Sequence, residues 1–169
     1  MTAEEFNDCL QQIANGSEEA LEKIYNKYQA KLIFTARLEL KNAASAEEVV
    51  SEVFFSIWKN AANYGYVEKP KAWMFQALKF AIINYKKKNY KYIYTESIDE
   101  AYYAKGNSAD FKVALKLELE KLTERQRDIF KLHYLFDISI DDAAEELEIS
   151  RSTVNREIEV IKQRLEYLK

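Results

Sequence analysis

The tightest constraint on this 169-residue chain is the stretch from Asp137 to Leu168, DISIDDAAEELEISRSTVNREIEVIKQRLEYL, which holds two helix starts with room for only a short turn between them. Ser139 offers a hydroxyl to free backbone N–H groups and Asp142 puts an acid in the first turn, so one helix opens there. Ala143, Ala144 and Leu147 share a face of it, and it stops near Glu148. Ser150 opens a second helix, in which Val154, Ile158, Ile161, Leu165 and Leu168 recur at steps of four, three, four and three. That spacing predicts one buried stripe. With the stripe turned inward, Ser152, Asn155, Arg156, Glu159 and Gln163 point away, and Arg151 lies in the first turn. A short helix, a tight turn and a helix with an uncommitted polar face make a helix-turn-helix, whose second helix enters the major groove by its N-terminal turns. Arginine can fork onto guanine, and Asn155 can do the same for adenine. Alone, the same pattern suits any helical hairpin with a solvated face; the rest of the chain has to decide.

Three glycines and one proline leave few breakers, and no segment alternates apolar and polar residues, so the fold class is all-α. Cys9 is the only cysteine, which excludes a disulfide framework and a Cys-rich metal site, and no cofactor is expected. The absence of a basic and apolar leader and of any long apolar run points to a cytoplasmic chain without membrane insertion. His133, the only histidine, reads as a packed helix residue. No acid, histidine or cysteine constellation has catalytic spacing, so neither enzyme activity nor a small-molecule substrate is expected.

The formal charge of −3 conceals an uneven distribution. Residues 61–95 carry seven basic and one acidic side chain, whereas residues 1–60 carry six and ten and residues 122–169 eight and eleven. Strong phosphate attraction is therefore confined to one segment.

In chain order, Thr2 and Glu5 box the first helix, which carries Phe6, Leu10 and Ile13 and stops at Asn15-Gly16. Ser17 reopens the chain, and Leu21, Ile24, Tyr25, Tyr28 and Leu32 form the next stripe. Ser45 and Glu48 predict a capping box for a helix whose broad inner side is Val49, Val50, Val53, Phe54, Ile57 and Trp58. Phe55 lies off that side, among Glu48, Ser51 and Glu52, a setting that favours an interface aromatic over an ordinary exposed ring or a second core face. A loop holding Asn63 to Tyr66 leads to Pro70, which suits a first helical turn. The helix that follows is expected to bury Met74, Ala77, Leu78, Ala81, Ile82 and Tyr85. Its opposite face carries Gln76, Lys79, Phe80, Ile83 and Lys87, with Trp73 at the edge, and runs into NYKKKNYKYIY (Asn84 to Tyr94). Rings beside lysines give stacking platforms next to phosphate-neutralising charge, which suits single-stranded nucleic acid; the alternative is a solvated basic helix end with Phe80 and Ile83 packed on a later helix. Residues 95–110 read as a flexible linker between a domain of residues 1–94 and one of residues 111–169. In the second, Phe111, Leu115, Leu119 and Leu122 share a helix, Thr123 and Gln126 form a capping box, and Ile129, Leu132, His133 and Phe136 make the inner row leading to the paired helices.

The order of these parts resembles a bacterial sigma factor of the extracytoplasmic function type. Asn15-Gly16-Ser17-Glu18-Glu19-Ala20-Leu21 with Ile24-Tyr25 and Tyr28 is similar to the entry of that family's second conserved region. Ala46-Glu47-Glu48-Val49-Val50-Ser51-Glu52-Val53-Phe54 with Trp58 resembles its polymerase-docking helix, and Lys71-Ala72-Trp73-Met74-Phe75 with Tyr85-Lys86-Lys87-Lys88 its promoter-melting helix. Leu122-Thr123-Glu124-Arg125-Gln126-Arg127 resembles the opening of the fourth region, and Ile149-Ser150-Arg151-Ser152-Thr153-Val154 its turn and recognition helix. The resemblance implies a subunit that binds core RNA polymerase and directs it to promoter DNA, and in some members one that an anti-sigma factor holds. Carried over by position, Glu47, Glu48, Ser51, Glu52 and Phe55 would face the polymerase. Tyr64, Tyr66, Trp73, Gln76, Lys79, Phe80, Lys86, Lys87 and Lys88 would take the opened strand, and Arg151, Ser152, Thr153, Asn155 and Arg156 would read the duplex. The chain departs from the family in having Ser51 where glutamine is usual, Phe80 where asparagine is usual, and Glu148 where the turn usually has glycine. Keeping that turn's geometry would cost about 1 kcal/mol. Glu157 and Glu159 further imply weak binding to free duplex. Two rival readings are a conventional helix-turn-helix regulator and a sigma-like decoy that binds an anti-sigma factor.

Overall fold

The computed structural model describes residues 1–40, 42–89 and 107–168, which are mainly helical, with no strand among the described residues. The chain packs as two units, Met1–Ser97 and Ile98–Lys169.

The first unit is built from α1 (Ala3–Ala14), α2 (Glu18–Glu39), α3 (Ala43–Asn60), a short 3-10 turn (Ala61–Asn63) and α4 (Pro70–Lys88). The predicted box holds α1: Thr2 accepts from the Glu5 N–H at 3.1 Å while Glu5 accepts from the Thr2 N–H at 2.7 Å. Gly16 takes φ 88°, and the Ser17 N–H returns to the Gln12 carbonyl at 3.0 Å, closing the helix as glycine at that position permits. Phe6, Ile24, Leu32, Val49, Ile57, Met74, Phe75 and Leu78 are fully or almost fully buried and form the core. Asn7 ties down the loop before α4, donating to the Val67 carbonyl at 2.9 Å and accepting from the Val67 N–H at 2.8 Å.

Several expectations are corrected here. The cap of α3 is Asn42, whose side chain accepts from the Ser45 N–H at 2.6 Å, so the Ser45 and Glu48 box does not form. Ser45 is buried instead, with its hydroxyl 2.7 Å from that of Tyr85. That bond holds Tyr85 half out of the core, where the periodicity had placed it inside. Trp58, expected on the inner side of α3, is 37 % exposed, and Tyr25 leans out against Phe54 with ring centroids 4.9 Å apart. Phe75, absent from the expected row of α4, is buried, while Ala77 and Ala81 are only half-covered. Both line an open groove between α3 and α4.

The second unit contains α5 (Asn107–Glu120), α6 (Glu124–Phe130, prolonged by a π turn over Lys131–Leu135), α7 (Ile140–Glu146) and α8 (Arg151–Leu165), with a 3-10 turn at Glu166–Leu168. The helix from Asn107 occupies the last four residues assigned to the linker; the remainder, and the continuation from Tyr90 to Tyr94, lie outside the described residues. Thr123 and Gln126 form the predicted box. Phe111 is exposed, unlike Leu115, Leu119 and Leu122, and His133 is half-buried with Nδ1 3.0 Å from the Ile138 carbonyl oxygen. The widened π turn lets Phe136 and Ile138 both enter the core, with Asp137 between them at φ 53°.

Ser139 and Ser150 cap α7 and α8 as the sequence predicts. Between the two helices Glu148 adopts φ 54°, and the Ile149 N–H bonds back to the Ala144 carbonyl at 3.0 Å. This is a Schellman closure with a glutamate where glycine fits without strain. Val154, Ile158 and Ile161 are buried, and Leu165 and Leu168 are half-buried at the end of the stripe. Glu148→Gly should raise the unfolding free energy of this unit by about 1 kcal/mol through relief of the left-handed backbone. Chemical denaturation checks this; a lower midpoint would mean that the strain is not there.

Candidate functional site

Three surfaces emerge from these elements. The first is the outer face of α3. Once Val49, Val53, Phe54 and Ile57 are committed to the core, helical geometry leaves Glu47, Glu48, Ser51, Glu52 and Phe55 in solvent, and all five are exposed. Phe55 is 57 % exposed, and Trp58 lies one turn further along the same face. Arg37 approaches Glu47 at 3.6 Å, so one acid of this face is already paired with α2.

The second surface is α4 with the loop before it. Gln76, Phe80, Ile83, Asn84 and Lys87 form an exposed row, and Phe80 is 67 % exposed. Lys88 is exposed, whereas Lys79 and Lys86 are half-buried, and Lys86 Nζ reaches Glu39 at 3.4 Å. Tyr66 stands exposed at the loop tip. Tyr64 and Trp73 sit deeper than these residues and are half-buried. Their rings meet edge to face at 5.0 Å, Trp73 also meets Phe6 at 5.7 Å, and the Tyr64 hydroxyl reaches the Ser56 carbonyl at 3.3 Å. Trp73 thus serves as an inner wall. Between α3 and α4 runs a groove of about 620 Å³, floored by Val53, Ile57, Trp73 and Ala77, with Glu48 and Glu52 on one rim and Phe80 and Lys88 on the other.

The third surface is the outward side of α8. Arg151, Ser152, Asn155 and Arg156 are exposed, and Thr153 is half-buried, giving its N–H to the capping hydroxyl of Ser150 at 3.2 Å. Arg151 Nη1 lies 3.3 Å from Asp141 Oδ1 on α7. The two acids that weaken the case for duplex binding are engaged: Glu157 accepts from Gln126 at 2.7 Å and Glu159 from Lys162 at 2.9 Å. The hydrogen bond and charge of Glu159 raise the Lys162 ammonium pKa.

Sequence reasoning passed over three residues of these surfaces. Trp58 was assigned inward, although its place one turn beyond Phe55 marks the outer face. Asn84 lies one turn beyond Phe80 and could have been found in the same way. Asp141 could not, because its link to Arg151 crosses a turn.

An acidic and aromatic helix face, a basic and aromatic one beside it, and a separate helix-turn-helix define a two-part helical protein that recognises nucleic acid. Residues 24–92 match the family model described as Sigma-70 region 2, and residues 112–165 match that described as Sigma-70, region 4. The chain is 22 % identical to a probable RNA polymerase sigma factor of Haemophilus influenzae over 151 residues, covering 75 % of this chain and 78 % of that one. Its fold is similar to that of CnrH in the solved complex with the cytosolic domain of CnrY, with a TM-score of 0.71 at 18 % identity, over 97 % of this chain and 96 % of that one. The two family matches together take in well over half the chain, region 2 before region 4, and the chain belongs to the sigma-70 family. Its function is promoter recognition in transcription initiation, and its family is one of non-catalytic subunits of RNA polymerase. Among the described residues no helix is long and apolar enough to cross a membrane.

The geometry separates the two large aromatics of α4. Trp73→Ala should destabilise the first unit by about 3 kcal/mol, as loss of a packed ring does, while Phe80→Ala should stay within about 0.5 kcal/mol of the parent. Denaturant midpoints decide; equal losses would contradict the inward assignment of Trp73.

Proposed function

We propose that the three surfaces divide the work of initiation. The face of α3, with Glu47, Glu48, Ser51, Glu52 and Phe55 and extended by Trp58, docks the chain on core RNA polymerase. Tyr66 and the α4 row of Gln76, Lys79, Phe80, Lys86, Lys87 and Lys88 take the opened promoter strand, with Tyr64 and Trp73 bracing the loop from behind. Arg151, Ser152, Thr153, Asn155 and Arg156 read the upstream duplex. On this reading residues 1–94 are the docking and melting domain, and the duplex-reading domain extends from the start of α5 to the C-terminus. The chain works in the cytoplasm, where polymerase and promoter meet.

The observation that carries the reading is the exposure of Phe55 among exposed acids on α3, beside a groove whose far rim is Phe80 and Lys88. A solvated helix face has no use for a ring surrounded by acids, whereas the desolvated centre of an interface does. Phe80 and the lysines around it combine a stacking surface with phosphate-neutralising charge, which suits a strand whose bases are unpaired. An anti-sigma factor that covers these surfaces is a further partner; the similarity to CnrH, solved with the cytosolic domain of CnrY, supports this.

Glu52→Lys combined with Phe55→Ala should weaken capture by core polymerase by about 2 kcal/mol, or roughly thirtyfold in affinity. Arg151→Ala with Arg156→Ala should leave capture intact and abolish start-site selection in run-off transcription. Co-purification and run-off assays on the same variants check both. If the α3 variant still co-purified fully, or if the α8 variant lost polymerase binding while folded, the faces would be wrongly assigned.

A further inference from the structure

The ion pair between Arg151 and Asp141 joins the first turns of the two helices in the helix-turn-helix. We propose that Asp141 is a positioning residue that sets the base selectivity of Arg151. The inference rests on the reading of Arg151 as a duplex-contacting residue.

Arg151 is the first residue of α8, at the positive end of that helix, where a cation is disfavoured. Asp141 lies in the first turn of α7, where an acid is favoured, and its carboxylate lies 3.3 Å from the guanidinium. Both side chains are two-thirds exposed, so water screens the pair and it contributes little to stability. Its use is geometric. The contact is made through Nη1, which leaves the Nε–H and Nη2–H pair on the other edge of the guanidinium free. Those two parallel donors match the O6 and N7 acceptors of guanine in the major groove. An unrestrained arginine at a helix entrance is equally able to turn to a backbone phosphate, a contact that binds without reading sequence. Asp141 opposes that in two ways. It holds the guanidinium on the α7 side of the helix entrance, and its own charge repels phosphate. Part of the affinity for any DNA is thereby exchanged for discrimination at one base pair.

The test uses the full chain assembled with core polymerase and a promoter library randomised over the upstream element, read by sequencing of the selected fragments. Arg151→Ala should flatten the preference at one position. Asp141→Asn and Asp141→Ala should lower the preference at that same position by at least about fivefold, the low end of what a bidentate base contact discriminates. Preferences elsewhere should be unchanged. Adding Asp141→Asn to Arg151→Ala should change nothing further, and Asp141→Glu, which keeps the charge, should restore most of the preference. Asp141→Asn is nearly isosteric, and an unchanged helical circular dichroism and denaturant midpoint show that its second unit is folded even if that of the alanine variant is not. A parental profile for Asp141→Asn, with Arg151→Ala still flattening one position, overturns the inference and leaves the proposed function standing. A uniform change at every position also overturns it, because Asp141 would then act only as a diffuse charge. A profile that Arg151→Ala does not alter overturns the assignment of Arg151 itself.

Discussion

Phe6 is the junction on which the first unit depends. Its ring is fully buried and meets Tyr28 of α2 at 6.1 Å and Trp73 of α4 at 5.7 Å, both edge to face. Edge-to-face contacts are directional as well as apolar, so they fix how the rings are turned in addition to burying them. Through Trp73 the junction reaches Tyr64, and through Asn7 on the same helix α1 grips Val67. The loop before α4 is therefore held at Tyr64 and Val67 by contacts that lead back to α1, the helix of this unit furthest from it in sequence. The exposed Tyr66 and the row from Gln76 to Lys87 inherit their placement from that core.

Charge follows the same division between what packs and what faces outward. The basic excess of residues 61–95 is concentrated at the C-terminal end of α4, where lysines also suit the negative end of the helix. The acids of α3 occupy the adjoining rim of the groove. One unit thus offers an anionic, aromatic face and a cationic, aromatic one on neighbouring helices, which suits two chemically different partners held at once.

The helices, their caps at Thr2, Ser17, Thr123, Ser139 and Ser150, and the outward sets on α3 and α8 were legible because each follows from local spacing. The reading failed where a contact distant in sequence outweighed the local signal. Ser45 has the pattern of a cap, yet its hydroxyl serves Tyr85 and the start of α3 falls to Asn42. Trp58 fits an apolar stripe by count but lies at the edge of the buried arc, and Phe75 lies just past the other edge of its own stripe. The inward turn of Trp73 depends on Phe6 and Tyr64, both of which lie outside α4. Glu148 is the opposite case: the expectation of a left-handed backbone there came from the family resemblance, in which glycine usually holds that place, and it holds at φ 54°.

Lys86 is held by Glu39, and Arg151 by Asp141. For binding to DNA, each carboxylate acts as a built-in counterion. A cation that is already neutralised displaces fewer condensed ions from the double helix, so the formal number of basic residues overstates the entropy available from ion release. The chain alone would therefore show a shallow dependence of DNA affinity on salt, and the long-range attraction to the template would have to come from the enzyme that carries it.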